Sequence, residues 1–465
     1  MTGFRPWSGT TFFGRAVSSK NELPERVSAQ IAPLLPARSS ILIGLSGGLD
    51  SVVLLHLLHA LAARFSWQVS ALHVHHGISR NADAWARFCA DLCSRHHVPL
   101  LVEHVDIAPL RAHGIEAAAR KLRHAAFDRQ SHDFVALAHH ADDQAETLLL
   151  QLLRGAGVRG ASAMPLLAER AGAPDILRPL LHFSRQEILD YAVAHDLQWI
   201  EDESNADDSY PRNFLRHRLL PLLSERFPAY RDTLTRSAEH FAEASKLLDE
   251  LARQDGVEAI HADTLDVSAL QALSPARAKN LLRYFLHRVG APMPQAVQLD
   301  DMLRQLCTSR KDAAVCVNYS DWQVRLYRGK VYALHALAEF DRSTVLTWHG
   351  EAELKWPALH ASVHFDSGRH SQGEVMQRFG ISLEKLQHSP VTLRVRHGGE
   401  TLRPHADAAK RSLKNLLQEH HIPPWRRDRL PLLYCGDDLV CVVDVAVSAD
   451  YVSKQGEAEI RLSLQ

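Results

Sequence analysis

Between residues 40 and 200, short apolar runs alternate with longer stretches in which apolar residues recur every three or four positions. Residues 40–45 predict a buried strand, and 51–63 a helix that is apolar on most faces. The pattern then repeats: strand 69–74 and helix 83–96, strand 100–105 and helix 115–129, strand 134–138 and helix 144–153. Strand–helix alternation of this kind predicts a parallel sheet covered by helices. In such sheets ligands sit beyond the C-terminal ends of the strands.

Beyond Arg178-Pro179-Leu180-Leu181 the period changes. Residues 214–306 read as mostly helical, with 239–253 and 276–289 as the clearest pieces. Short strands are expected at 314–318, 324–327 and 330–334. The last part reads as a strand at 391–396, a helix at 410–421 and apolar strands at 430–435 and 439–447. The fold class is therefore α/β. A parallel-sheet, Rossmann-like N-terminal domain (36–213) follows an extension (1–35). It precedes a mostly helical middle domain (214–345) and a small α+β C-terminal domain (346–465).

Composition adds limits. A chain of 465 residues with 46% hydrophobic and 23% charged residues has enough apolar material for several cores. No apolar run approaches the roughly 18 residues that cross a bilayer, and residues 1–20 lack the apolar core of a secretory signal. We therefore expect no membrane partner and a cytoplasmic location. The formal charge of −1 argues against indiscriminate coating of nucleic acid but leaves room for a local basic face. The six cysteines form no C-x-x-C unit, so neither a thiolate metal site nor a dithiol is expected. Cys89 and Cys93, four apart, read as small buried residues.

The most informative segment is Ser46-Gly47-Gly48-Leu49-Asp50-Ser51, between the first strand and its helix. The glycines let backbone N–H groups approach an anion without a Cβ in the way. The helix N-terminus adds partial positive charge, and Ser46 and Ser51 add hydroxyls. Asp50, an acid in an anion site, points to a Mg²⁺ ion carried by phosphates. The G-K-[ST] ending of a Walker A loop is missing, which argues against simple γ-phosphate transfer. The hexapeptide resembles the S-G-G-x-D-S loop of the N-type ATP pyrophosphatase superfamily, whose members cleave ATP to AMP and pyrophosphate.

Three further motifs bear on the substrate. His73-Val74-His75-His76-Gly77 ends the second strand, placing His73 and His75 where an adenine or ribose would lie. On the helix from Ile115, Glu116, Arg120, Arg123 and Phe127 share one face. That face is either a surface ladder or a cationic wall for a developing oxyanion, with Arg120 as the preferred residue. His139-His140-Ala141-Asp142-Asp143-Gln144-Ala145-Glu146 puts three acids at a strand end. Asp143 and Glu146 have the spacing of a capping box, and acids placed there can also hold Mg²⁺ or meet an amine.

Together with Arg154-Gly155-Ala156-Gly157, Asp202-Glu203-Ser204-Asn205, Pro211-Arg212-Asn213-Phe214-Leu215-Arg216 and Pro423-Pro424-Trp425-Arg426-Arg427, these pieces resemble the tRNA(Ile)-lysidine synthetase family. Motif order is kept from about residue 40 to 450. The resemblance implies ATP-dependent ligation of free L-lysine to C2 of cytidine 34 in the CAU anticodon of tRNA(Ile), through an adenylated cytidine. It implies ATP and Mg²⁺ as cofactors, tRNA(Ile) as partner, and a bacterial cytoplasmic setting; a homodimer is compatible with it. By the same resemblance, residues 46–51 hold pyrophosphate, Asp50 and Asp142 hold Mg²⁺, Arg120 and Arg212 steady charge on oxygen, and Asp143 with Glu146 receives lysine.

For RNA, two basic stretches stand out. One contains Arg212, Arg216 and Arg218. The other, residues 394–429, has nine Lys or Arg against four Asp or Glu, net +5. Arg403, Lys414, Arg426 and Arg429, with Trp425 for stacking, are its expected tRNA contacts. The rivals are a tRNA thiolation enzyme of the same superfamily, which needs reactive cysteines, and a non-catalytic tRNA-binding protein that merely holds nucleotide.

Overall fold

The computed structural model describes residues 22–108, 115–201, 207–309, 315–359, 361–369 and 380–464. Gly114, the side chain of Glu116 and the motif Asp202-Glu203-Ser204-Asn205 lie outside the described residues. The chain forms two compact units, Met1–Leu251 and Ala252–Gln465.

The first unit begins with helix α1 (Glu22–Ile31). Its Leu23, Val27 and Ile31, spaced four apart, form one apolar stripe that enters the main core. The extension expected over 1–35 is thus integral to the domain from Glu22 onward. Strand β1 (Ser40–Gly44) follows, then α2 (Leu49–Phe65), β2 (Gln68–His75), α3 (Ala82–Arg95), β3 (Leu100–His104), α4 (Ile115–Asp128), β4 (Phe134–Ala136) and α5 (Ala141–Leu153). Short α6 (Val158–Ala161), β5 (Leu167–Ala168) and β6 (Asp175–Leu177) lead to α7 (Arg185–Ala194). Helix α2 buries residues on nearly every face, which explains why its sequence is almost continuously apolar.

The strands form one six-stranded sheet in the order β3-β2-β1-β4-β6-β5. All neighbours are parallel except the edge pair β5 and β6. The chain builds outward from β1 to β3, then crosses to the other side of β1 to lay down β4. This reversal is a topological switch point, where adjacent loops part and leave a crevice.

After α7, the unit continues as α8 (Pro211–Phe214), a single π-helical turn (Leu215–Leu219), α9 (Leu220–Arg226) and the long α10 (Tyr230–Gly256). π-Turns inside helices often mark functional sites. Leu220 and Tyr230 pack on Ala145 of α5, and Ala238 on Leu148, which fastens this helical segment to the parallel-sheet domain.

In the second unit, strands β7 (Ile260–His261), β8 (Thr264–Asp266), β9 (Cys316–Tyr319), β10 (Trp322–Tyr327) and β11 (Lys330–His335) form an antiparallel sheet. Helices α11 (Val267–Ala272), α12 (Pro275–Arg288) and α13 (Ala296–Thr308) share a core with it, centred on Leu281, Phe285, Met302 and Val324. The strands expected at 314–318, 324–327 and 330–334 are observed as β9, β10 and β11, joined by tight turns, and β8 pairs with β11 across a long sequence gap. The C-terminal part holds a five-stranded and a four-stranded sheet around Trp356, Leu393, Leu433 and Val440. The helix expected at 410–421 is observed only over Leu413–Glu419, preceded by a two-residue strand.

Candidate active site

The loops that part at the switch point, after β1 and after β4, carry the two richest motifs. In the first, Gly47 has φ +88°, and a Cβ there would lie 2.7 Å from Ile200 Cδ1. Glycine is needed at this position for both conformation and space. Ser51 ties the loop together: its Oγ accepts from Gly47 N at 3.1 Å and donates to Gly48 O at 2.9 Å, with Ser46 Oγ 3.1 Å away. The carbonyl of Gly47 accepts from Ile200 N at 2.9 Å. The first intrahelical bond of α2 runs from Val52 N to Gly48 O. The N–H groups of the preceding first turn therefore face the crevice as anion donors.

Asp50 lies in that first turn. Its Oδ1 is buried without a hydrogen-bond partner, and burial raises its pKa. Its Oδ2 is 3.8 Å from His140 Nε2. An orphaned carboxylate oxygen beside an anion cradle suits a cation delivered with its own phosphates. Asp142 does not share this character. Its Oδ1 accepts from Arg231 Nε and its Oδ2 from Arg185 N. Each oxygen thus holds one protein hydrogen bond, which anchors α5 to α7 and α10 and leaves Asp142 less open to the expected Mg²⁺ than Asp50. Among the described residues no three His, Cys, Asp or Glu side chains gather at metal-ligand spacing.

Helix α5 begins at His140, whose N–H donates to Asp143 Oδ2 at 3.0 Å. Asp143 therefore closes a cap with His140 rather than with Glu146. Three residues on, Glu146 is fully buried. It accepts from Arg212 Nε at 2.7 Å and from Arg216 Nε at 2.7 Å. Both arginines also reach Asp143 Oδ1, at 3.1 and 3.2 Å. Two carboxylates and two guanidiniums thus form a compact, charge-balanced square. Burial disfavours ionisation of Asp143, but His140 and Arg212 outweigh it and hold the carboxyl below the usual range.

Arg216, expected among RNA contacts, is therefore part of this square. Sequence reading missed it because R-N-x-x-R looks equally like a surface ladder; the i, i+4 spacing to Arg212 is the available signal. Arg120 is exposed on α4. Burial pushes His139 down to about 3, and Arg178, Arg212 and Arg120 assist against the opposing Asp143. His139 is consequently a neutral imidazole. Its Nδ1 is buried without a partner.

The histidines of the second strand separate. His73 is buried, with Nδ1 2.8 Å from the carbonyl of Leu45. It braces the start of the loop expected to hold the nucleotide. His75 pairs with Asp83 at 3.0 Å and leans on His104, beside a cleft of about 520 Å³ that also takes in His76 and Gly77.

Cys89 lies directly under Gly47, but burial pushes its thiol up to about 12 and that of Cys93 to about 11. A thiol so far from ionisation is a poor nucleophile, which counts against the thiolation reading.

The expected RNA contacts fall into two groups. Lys414 is exposed, Arg218 is exposed beside Asp208, and Arg403 lies 3.3 Å from Asp450 in a cleft of about 650 Å³. Arg426 is exposed, 3.6 Å from Asp263. Trp425 is instead packed by Tyr332, Tyr327 and Arg325, and Arg429 donates to the carbonyl of Ala338. The indole expected to stack on RNA is thus half-buried and already engaged by protein rings.

Comparison with known proteins aligns with these parts. A PP-loop domain family matches residues 20–223, a TilS substrate binding domain residues 265–332, and a TilS substrate C-terminal domain residues 391–464. The tRNA(Ile)-lysidine synthase of Nitrosomonas europaea is 42% identical over 89% of this chain and 89% of its own length. That of Coxiella burnetii is 36% identical over 93% and 95%, and that of Salmonella agona 39% over 90% and 94%.

Proposed function

This chain belongs to the tRNA(Ile)-lysidine synthase family, and on that premise we propose a division of labour among its residues. The enzyme is an ATP-dependent ligase that forms lysidine in the anticodon of tRNA(Ile). The C2 oxygen of cytidine 34 attacks the α-phosphorus of ATP, and the bond to the β-phosphate bridging oxygen breaks. Pyrophosphate leaves into the cradle formed by Ser46, Ser51 and the N–H groups at the start of α2. Asp50 would hold Mg²⁺ there, which neutralises phosphate charge when bound. Arg120, exposed on α4 and near enough to act electrostatically on His139 and Arg178, would offset charge on the transferring group.

The ε-amine of free L-lysine then attacks C2, and AMP departs with the C2 oxygen. For that attack the amine must be neutral and unpaired, so the enzyme has to grip lysine elsewhere. The square of Asp143, Glu146, Arg212 and Arg216 is the single observation that carries this assignment. Buried Glu146 holds Arg212 and Arg216 in place, while the slightly exposed side chain of Asp143 and the two guanidiniums complement an α-ammonium and an α-carboxylate and leave the side-chain amine free. A bare tRNA-binding protein has no need of such a buried square. The substrates place the work in the cytoplasm, and no helix among the described residues is long and apolar enough to cross a membrane.

The reading is tested by incubating the protein with CAU-anticodon tRNA(Ile), ATP, Mg²⁺ and labelled lysine. Label in the tRNA and stoichiometric AMP are expected. Protein that hydrolyses ATP but leaves the tRNA unlabelled would sink the assignment.

A further inference from the structure

In the basic segment Pro423-Pro424-Trp425-Arg426-Arg427-Asp428-Arg429 of the C-terminal domain, Arg426 is exposed, but Trp425, Arg427 and Arg429 turn onto the protein. Pro424 starts a one-turn helix, Pro424–Arg427, closed by Arg426 N and Arg427 N on the carbonyl of Pro423. That turn projects Trp425 onto the antiparallel sheet of the middle domain. The indole meets the Tyr332 ring edge-on at 5.3 Å and the Tyr327 ring at 6.1 Å, both from strands β10 and β11, and Arg325 covers it at 5.1 Å. Arg427 donates to Tyr327 Oη at 2.9 Å and, through Nε, to the carbonyl of Ile422 at 2.8 Å. Arg429 and Asp428 then grip the connection between the two domains, through Ala338, Phe340 and Arg342.

We propose that Trp425 and Arg427 are positioning residues for tRNA, forming a joint that holds the C-terminal domain at a fixed angle and distance from the middle domain. The inference rests on the tRNA reading above. A tRNA held at two separated places is bound through effective concentration, which is high only if the second site is held at the matching span. Loose domains keep each contact but lose the gain from making both. The alternative for the same residues, direct contact with RNA phosphate, makes an opposite electrostatic prediction. Each phosphate contact removed lowers the salt slope of binding by about one.

The test uses the full chain and Trp425→Ala, Arg427→Ala and Tyr327→Phe, each checked for a wild-type circular dichroism spectrum. Small-angle scattering of the free protein and tRNA(Ile) binding across a salt series are measured on all four. The joint predicts a larger radius of gyration for Trp425→Ala and Arg427→Ala. It also predicts tRNA affinity about tenfold weaker or more, a raised KM for tRNA with KM for ATP unchanged, and an unchanged salt slope. A slope that falls by about one in Arg427→Ala, with scattering unchanged, would overturn it in favour of an RNA contact. Unaltered scattering and affinity in all three variants would overturn it as well. If the wild-type chain binds no tRNA, the functional reading fails while the scattering arm still decides the joint.

Discussion

Arg216 donates to both oxygens of the fully buried Glu146, through Nε at 2.7 Å and Nη2 at 3.0 Å. A carboxylate with no solvent exposure is tolerable in a fold only with such partners. Here the partners come from α8 (Arg212) and the π-helical turn (Arg216), some seventy residues later in the chain. The relationship binds the helical segment to the catalytic sheet and creates the charged square at once.

Removing a pair should therefore hurt less than the sum of the two single removals. Glu146→Ala leaves two guanidiniums facing each other and is expected to cost about 3 kcal/mol or more. Arg216→Ala should cost a similar amount, and the double variant clearly less than the two together. Chemical denaturation of the four proteins measures this. Additive losses would show that the contact is not energetically coupled.

Asp50→Asn should give the opposite sign in stability. The wild-type carboxylate is partly buried with one oxygen unpartnered, so neutralising it relieves a desolvation penalty on the order of 1 kcal/mol. The ligand-free variant should melt a few degrees higher, and Mg²⁺-dependent pyrophosphate release should disappear. A lower melting point with normal release would contradict the role given to Asp50.

Gly47→Ala meets two obstacles: a φ of +88° and Ile200 Cδ1 at 2.7 Å. We expect a loss of about 1–3 kcal/mol and weaker ATP binding, read by thermal melts with and without ATP. Gly77, also at positive φ but with open space at its Cβ position, should tolerate alanine better.

Acid should loosen the first unit before carboxylates titrate. Burial pushes His56 to about 4, with His195, His96 and His59 adding to it, and pushes His76 to about 4 and His139 to about 3. Each folded value lies below the unfolded value of 6.5. The unfolded chain therefore binds more protons between these limits, and stability is full above about 6.5 and falls as pH drops toward 4. His56→Gln should flatten the decline between pH 7 and pH 5, measured by urea midpoints. An unchanged slope would show that His56 does not contribute.

The parallel sheet and the phosphate loop were legible because strand–helix alternation and S-G-G-x-D-S are local patterns. Glu22–Ile31 shows the limit: its stripe of Leu23, Val27 and Ile31 was present in the sequence, but without a neighbouring motif it read as an extension. The roles of Asp142, His73 and Trp425 were not legible. Each depends on a partner far away in the chain, namely Arg231, Leu45 and Tyr332, and spacing along one segment carries no information about such partners. Glu146 was picked out for its charge, while its burial and its two arginines emerge only when α5 meets α8 and the π-turn.

The division between loop and square is tested most directly with Glu146→Gln, given ATP, Mg²⁺ and CAU-anticodon tRNA(Ile) and then lysine. Pyrophosphate release and adenylated tRNA should form as in the wild type. On adding lysine, the wild type should discharge AMP and take up label, while the variant stays adenylated. A Glu146→Gln protein that folds normally and transfers lysine at the wild-type rate, or that fails to adenylate the tRNA at all, would contradict the account.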